Sequence, residues 1–372
     1  MYAFGNNGKI ISESDDKYHD DRNYERLYMK NRLTNYDIMR VIACIFVILI
    51  HIEEKPFSFN VRILYTTVFF VSNGIFFMLS GKFNLEKSYD SINDYRNYYR
   101  KKFISILFPY LLVSVLLSVF NLYHESGTLS FKSVCVYAFQ ELFDKNSGKA
   151  LWFMYPLIGF LISAPFLSKM FHALSDRECL LMVKIALLWN VMKVYLVTPM
   201  GIKFGFSGWL LETWLLYFVA GYLCERLIND RNRKIVYLLG AAGFIVTVVL
   251  RIYTNNKFQN VLDYSPAYFL LVITFYDLCR NRVNIKNHVF QSLISFLAQH
   301  TYYIYLFHVH AMRYIVPHIA QCDTKTVPGY LLETALIFIC SLICAVVLRS
   351  LIIKPLQSLL KKMPGLRVVN QE

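Results

Sequence analysis

The chain has 372 residues, of which 56% are hydrophobic and 17% charged, with a formal net charge of +14. A soluble domain carries about a quarter charged residues, so this composition excludes an ordinary water-soluble fold and indicates an all-α polytopic membrane protein. The excess lysine and arginine falls in short blocks between apolar runs, which suits loops facing anionic lipid, so no nucleic-acid partner is expected.

Residues 1–34 are polar and of mixed charge, carry no cleavable signal pattern, and are expected to form a cytoplasmic N-terminal segment. A membrane domain is expected over 35–355 and a short cytoplasmic tail over 356–372. A spanning helix needs about 20 mostly apolar residues. On that measure the predicted spans are 37–52, 61–80, 103–123, 151–171, 179–198, 209–228, 234–253, 264–279, 291–312 and 330–353. The first, fifth, eighth and ninth carry polar or charged residues, so about ten spans are expected, with nine or eleven left open. With both termini on the cytoplasmic side, 26 of the 39 lysines and arginines fall in inner segments, ten in outer loops and three within spans. That bias follows the positive-inside rule, and an added or missing helix would scramble it. The eight cysteines form no CxxC or metal-ligand spacing and read as small core residues; no metal site is expected.

The first span, NYDIMRVIACIFVILIHIEE (35–54), carries Asp37, Arg40 and His51. Eleven residues separate Arg40 from His51, about 1100° of helical turn, which puts them within about 20° of one face and about 16 Å apart along the axis. Asp37, three residues before Arg40, can pair with it. Arg40 at the inner headgroups and His51 at the outer interface would be one account of them. Ionisable residues within spans more often face the bundle interior and carry function, and these two share a stripe.

The Asp37–Arg40–His51 pattern resembles the first-helix signature of the membrane-bound acyltransferase 3 family. Further stretches resemble that family in the family's order. They are FFVSNGIFFMLSGKFN (69–84) with Ser80–Gly81, YYRKKFISILFPYLL (98–112), LWFMYPLIGFLISAP (151–165), YFVAGYLCE (217–225), and HTYYIYLFHVH (300–310) with Tyr305, Leu306 and His308. The chain departs from the family where Arg-x-x-Arg often precedes the third-helix proline: here the register gives Lys102 and Ser105, with Arg100 and Lys101 just upstream.

The resemblance implies transfer of an acyl group, commonly acetyl from acetyl-CoA, to a sugar hydroxyl of a surface glycan or its lipid-linked precursor at the plasma or inner membrane. Acyl-CoA, a glycan or glycolipid and the bilayer are then the partners, with no bound cofactor and the oligomeric state open. Attack of an alcohol on a thioester needs a base, a stabilised oxyanion and reactants held in register. His51 is the expected base, since imidazole accepts protons near neutrality. His308 is expected to hold substrate or stabilise the oxyanion, with Tyr305 beside it. Arg40 is expected either to contact the donor or to lock to Asp37. Arg100, Lys101 and Lys102 suit nucleotide phosphates or serve as ordinary inner charge. Trp152, Glu212, Glu333 and His310, at outer ends of spans, would share a cavity with His51, and either carboxylate could orient it. A transporter or flippase of glycan precursors is the alternative, but it calls for paired half-repeats and Gly/Pro-broken helices.

Overall fold

The computed structural model describes residues 34–52, 55–143, 151–202, 211–257, 264–283, 285 and 287–362. The expected N-terminal segment lies outside the described residues except for Thr34, as do Glu53, Glu54 and the last ten residues of the tail. Every regular element among the described residues is helical. In chain order these are α1 Thr34–His51, α2 Phe59–Leu85, α3 Ile92–Ser126, α4 Phe131–Phe143, α5 Met154–Ala173 and α6 Asp176–Met200. They continue as α7 Trp214–Leu227, α8 Arg233–Tyr253, α9 Pro266–Arg282, α10 His288–Ala298, α11 from Thr301 through Ile319, and α12 Val327–Lys362.

Seven of these, α1, α2, α3, α5, α6, α8 and α12, are long and apolar enough to cross a membrane. The chain is therefore a multi-pass helical membrane protein. Each remaining predicted span also holds a helix, but α7 and α9 start after the predicted spans do, and the ninth is broken. At the break the His300 N–H bonds to Leu297 O at 2.9 Å, His300 Nδ1 donates to Phe296 O at 2.7 Å, and Thr301 Oγ1 donates to Ala298 O at 2.9 Å. Side chains and a tightened turn thus take carbonyls that a continuing helix would use, which the apolar pattern alone does not reveal. At its far end α12 runs through the predicted tail boundary to Lys362.

Two helices begin at reciprocal capping boxes. Ser91 and Asp94 open α3, and Ser175 and Glu178 open α6, each serine and acid satisfying the other's backbone N–H. One face of α8, with Ile235, Leu238, Ile245 and Val249, is exposed, the disposition of a lipid-facing surface.

Between helices the closest approaches are made at glycine. A Cβ on Gly81 of α2 would lie 1.6 Å from Phe218 O of α7, and one on Gly221 of α7 would lie 1.7 Å from Met78 O of α2. The two backbones touch, as small residues allow in membrane bundles, where van der Waals packing replaces the hydrophobic drive. Gly243 of α8 meets Ala267 O of α9 in the same way.

At one end of the bundle a buried polar network ties four helices. Asp277 of α9, fully buried, accepts from Arg233 Nε and Tyr237 OH at 2.9 Å, Asn281 Nδ2 at 2.8 Å and Arg280 Nη2 at 2.5 Å. Glu225 of α7 accepts from the hydroxyls of Tyr276 and of Tyr36 on α1, and faces Arg280 at 3.2 Å. Arg226 reaches the turn between α5 and α6, donating to Phe171 O and Leu174 O at 2.7 Å and to Asp176 at 2.5 Å.

Gly221→Ala is expected to destabilise the solubilised protein by about 1–3 kcal/mol, the cost of overpacking. A thermal melt in detergent checks it, with Gly159→Ala, whose Cβ meets nothing within 4 Å, expected to melt as wild type. Asp277→Asn is expected to cost about 3–5 kcal/mol, because Arg233 and Arg280 lose a buried countercharge; folded yield and melting temperature report it.

Candidate active site

Helix α1 has a cavity at each end. The one at the Arg40 end, called inner here for the side that the lysine and arginine bias predicts, has a volume of about 450 Å³. Its deep walls are apolar, with Phe76, Leu79, Phe153, Met154 and Leu157, while Arg40, Lys102, Ser105, Arg349 and Gln357 line it from α1, α3 and α12. The outer one, about 940 Å³, is lined by His51, Asn73, Trp152, Tyr155, Trp214 and Tyr264 together with Phe70 and Phe143. Both lie in the size range of small-molecule sites, about 300–1,000 Å³.

A chain of ring contacts runs between the two cavities. Trp152 lines the outer cavity and its chain neighbour Phe153 the inner one. The Phe153 ring lies 5.7 Å from that of Tyr305, which lines the inner cavity, and the Tyr305 ring lies 5.5 Å from that of His308. His308 in turn meets His51 edge to face, with ring centroids 4.9 Å apart and an interplanar angle of 88°.

Both imidazoles have one nitrogen occupied by their own helix. His51 Nδ1 lies 2.8 Å from Val47 O, and His308 Nδ1 lies 2.6 Å from Tyr305 O. A carbonyl only accepts, so Nδ1 carries the proton in each ring and Nε2 keeps its lone pair. His308 is 1% exposed, and its Nε2 has no hydrogen-bond partner among the described residues. A basic nitrogen buried without a donor is costly, and its natural complement is a substrate O–H.

Arg40 donates to Asp37 at 2.5 Å and lies over the Phe83 ring, 4.8 Å from its centroid. It therefore lines the inner cavity with its charge balanced. Of the basic triplet, Lys102 lines the cavity and sits over the Tyr98 ring; Lys101 is exposed, and Arg100 is half-buried outside the lining. Glu212 pairs with Lys193. Glu333 is half-buried on α12, and neither carboxylate lines either cavity. His310 bonds Asn121 Oδ1 at 3.2 Å and lies among Phe120 and Tyr314, away from His51's cavity.

The acyltransferase 3 family model, described as an acyltransferase domain, matches residues 33–350. The chain belongs to that family. No curated protein and no solved structure gives a significant match. The matched region takes in every helix from α1 to most of α12, and with them all the lining residues of both cavities except Gln357.

Sequence reasoning missed Asn73, Trp214 and Tyr264 on the outer side, and Gln299, Arg349 and Gln357 on the inner. Only Asn73 stands in one of the quoted stretches, FFVSNGIFFMLSGKFN, where nothing singled it out. Arg349 reads in the sequence as one more inner charge, and only the return of α12 against α3 brings it to the cavity.

The two cavities are expected to open to opposite sides of the membrane. In sealed vesicles of a cysteine-depleted background, Asn73→Cys should react with an impermeant maleimide from one face and Ser105→Cys from the other. Labelling of both from one face would contradict this arrangement.

Proposed function

We propose that this membrane acyltransferase moves an acyl group, acetyl by family resemblance, from acyl-CoA on the cytoplasmic side to a sugar hydroxyl of a surface polysaccharide or its lipid-linked precursor. The observation that carries the reading is the pair of cavities linked by the ring contacts of His51, His308 and Tyr305. An apolar slot with a basic opening suits a thioester arm bearing a charged nucleotide. A larger opening lined by Trp152, Tyr155, Trp214 and Tyr264 suits a sugar, whose ring faces stack on aromatic side chains.

The chemistry follows from which nitrogens are open. With Nδ1 committed to Val47 O, His51 Nε2 takes the proton of the acceptor hydroxyl as its oxygen bonds to the thioester carbon. The tetrahedral intermediate collapses with cleavage of the C–S bond, and the imidazolium returns its proton to the departing thiolate, so the base ends as it began. His308, with its own Nδ1 committed to Tyr305 O, presents an acceptor and no donor in its neutral form. That favours holding the sugar hydroxyl over stabilising an oxyanion. Tyr305, in the lining of the inner cavity, carries the O–H that can face the thioester carbonyl.

Arg40, already balanced by Asp37, fixes the start of α1 and offers its remaining N–H groups to the neutral amides of the donor arm. Lys102 is the triplet residue at the cavity, while Arg100 and Lys101 lie further out along the same helix, where a nucleotide would project. The termini and the inner cavity share the cytoplasmic side in this reading, which agrees with the lysine and arginine bias of the loops.

Membranes carrying the chain, supplied with labelled acetyl-CoA and a hydroxyl-bearing surface glycan, should transfer label to the glycan. His51→Ala should lower the rate by about 10²–10⁴-fold at equal expression, the usual contribution of a general base. His308→Ala should raise the acceptor KM more than it lowers kcat. Transport of unlabelled glycan with no transfer would replace this reading with the flippase.

A further inference from the structure

The inner cavity holds more positive charge than its walls neutralise. Arg40 is paired with Asp37, but among the described residues no carboxylate pairs with Lys102 or Arg349. Two cations facing a cavity inside an apolar bundle are costly unless an anion joins them.

Arg349 is also aimed. Its Nη1 lies 3.1 Å from His300 Nε2, while His300 Nδ1 lies 2.7 Å from Phe296 O. The carbonyl fixes the proton on Nδ1, so Nε2 accepts from the guanidinium and His300 stays neutral. The contact orients Arg349 without cancelling its charge and leaves its remaining N–H groups open. His300 itself is 5% exposed and sits in the break between α10 and α11, so the broken helix and the aimed arginine are one feature.

The backbone points the same way. Lys102 directly precedes a π-helical turn at Phe103–Leu107 of α3, and Arg349 opens another at Arg349–Ile353 of α12. Each such turn adds a residue and rotates the face that follows, and such turns are frequent at functional sites. The turn on α3 is tied to its neighbours: Gln357 Nε2 of α12 donates to Ile104 O at 2.8 Å, and Tyr302 OH of α11 donates to Ile106 O at 2.8 Å. Gln357 and Tyr302 both line the cavity.

We propose that Arg349, oriented by His300, forms with Lys102 the site for the phosphates of the coenzyme A donor, the two cations lining one cavity from α12 and α3. The proposal rests on the acyl-CoA reading above. It also accounts for Ser105, which lines the cavity where the family often has a second arginine: here α12 supplies the guanidinium. Arg349 is the ligand, and His300 is a positioning residue.

The full-length chain in nanodiscs of neutral lipid, titrated with coenzyme A and with pantetheine, tests it. Pantetheine has the arm without the phosphates. Wild type should bind coenzyme A about tenfold or more tighter than pantetheine, as charge-assisted phosphate contacts require. Arg349→Gln should remove most of that advantage and leave pantetheine binding as it was, with Arg349→Lys in between; the lysine variant serves if the glutamine variant fails to fold. His300→Phe should raise the KM for acyl-CoA several-fold at unchanged kcat, and should add nothing to Arg349→Gln. Unchanged coenzyme A affinity in both Arg349 variants would overturn the site and leave the acyltransferase reading standing. Absence of coenzyme A binding by wild type would overturn both. Competition by phosphatidylglycerol, lost in Arg349→Gln while coenzyme A binding persists, would make the site one for a lipid headgroup.

Discussion

An imidazole buried in a lipid-embedded bundle keeps an open lone pair only when its other nitrogen is satisfied nearby, and the shortest route is its own helix. Three histidines use that route here. His51 donates to Val47 O, His308 to Tyr305 O and His300 to Phe296 O. In each the backbone fixes the tautomer without a carboxylate, and Nε2 is left for other work. Two of those nitrogens belong to rings that touch between the cavities, and the third holds Arg349. A carboxylate partner would make each ring more basic and add charge to the bundle. Carbonyls do neither, which suits the proposed passage of a neutral acyl group.

The crossing of α2 and α7 decides where those rings can be. Helix α2 lines both cavities, through Phe70 and Asn73 on one side and Phe76, Leu79, Ser80, Phe83 and Asn84 on the other. Its opposite face carries Gly74 and Gly81 against α7. Backbone contact at Gly81 and Gly221 holds α2 and α7 backbone to backbone and so fixes α2 against α7. This gives a physical reason for two of the stretches that carry the family resemblance: Ser80–Gly81 and Phe218–Gly221–Tyr222 are the two sides of one contact.

Much of this was legible in the sequence. Apolar length located a helix at each predicted span, and the 3.6-residue period put Arg40 and His51 on one stripe leading from the inner cavity to the outer. What the sequence hid was of one kind: features made by a local break in helix periodicity or by a partner far along the chain. The break at His300 falls on the polar step Gln299–His300–Thr301, which the apolar residues on either side conceal in a span-length average. The π-helical turns after Lys102 and at Arg349 rotate faces that a regular period would misplace. Glu212 looked available to orient His51, but Lys193, nineteen residues earlier and itself within a predicted span, takes it. Arg349 could be counted as a charge but not placed.

A donor that arrives from one side and a base that faces the other raise the question of distance. Along α5 the answer is one residue: Phe153, Met154 and Leu157 line the inner cavity, while Trp152, Tyr155 and Pro156 line the outer. A chain of ring contacts runs from one lining to the other, from Phe153 through Tyr305 and His308 to His51. A thioester at the deep end of the inner slot and a hydroxyl at the His51 end of the outer one would lie at the two ends of that chain. In the proposed reaction only the acyl carbon would have to pass, with the phosphates kept at the cations of the inner cavity and the sugar among the aromatic rings of the outer one. That division would let one site serve two substrates from different compartments, and it requires the path to be short where the histidines touch.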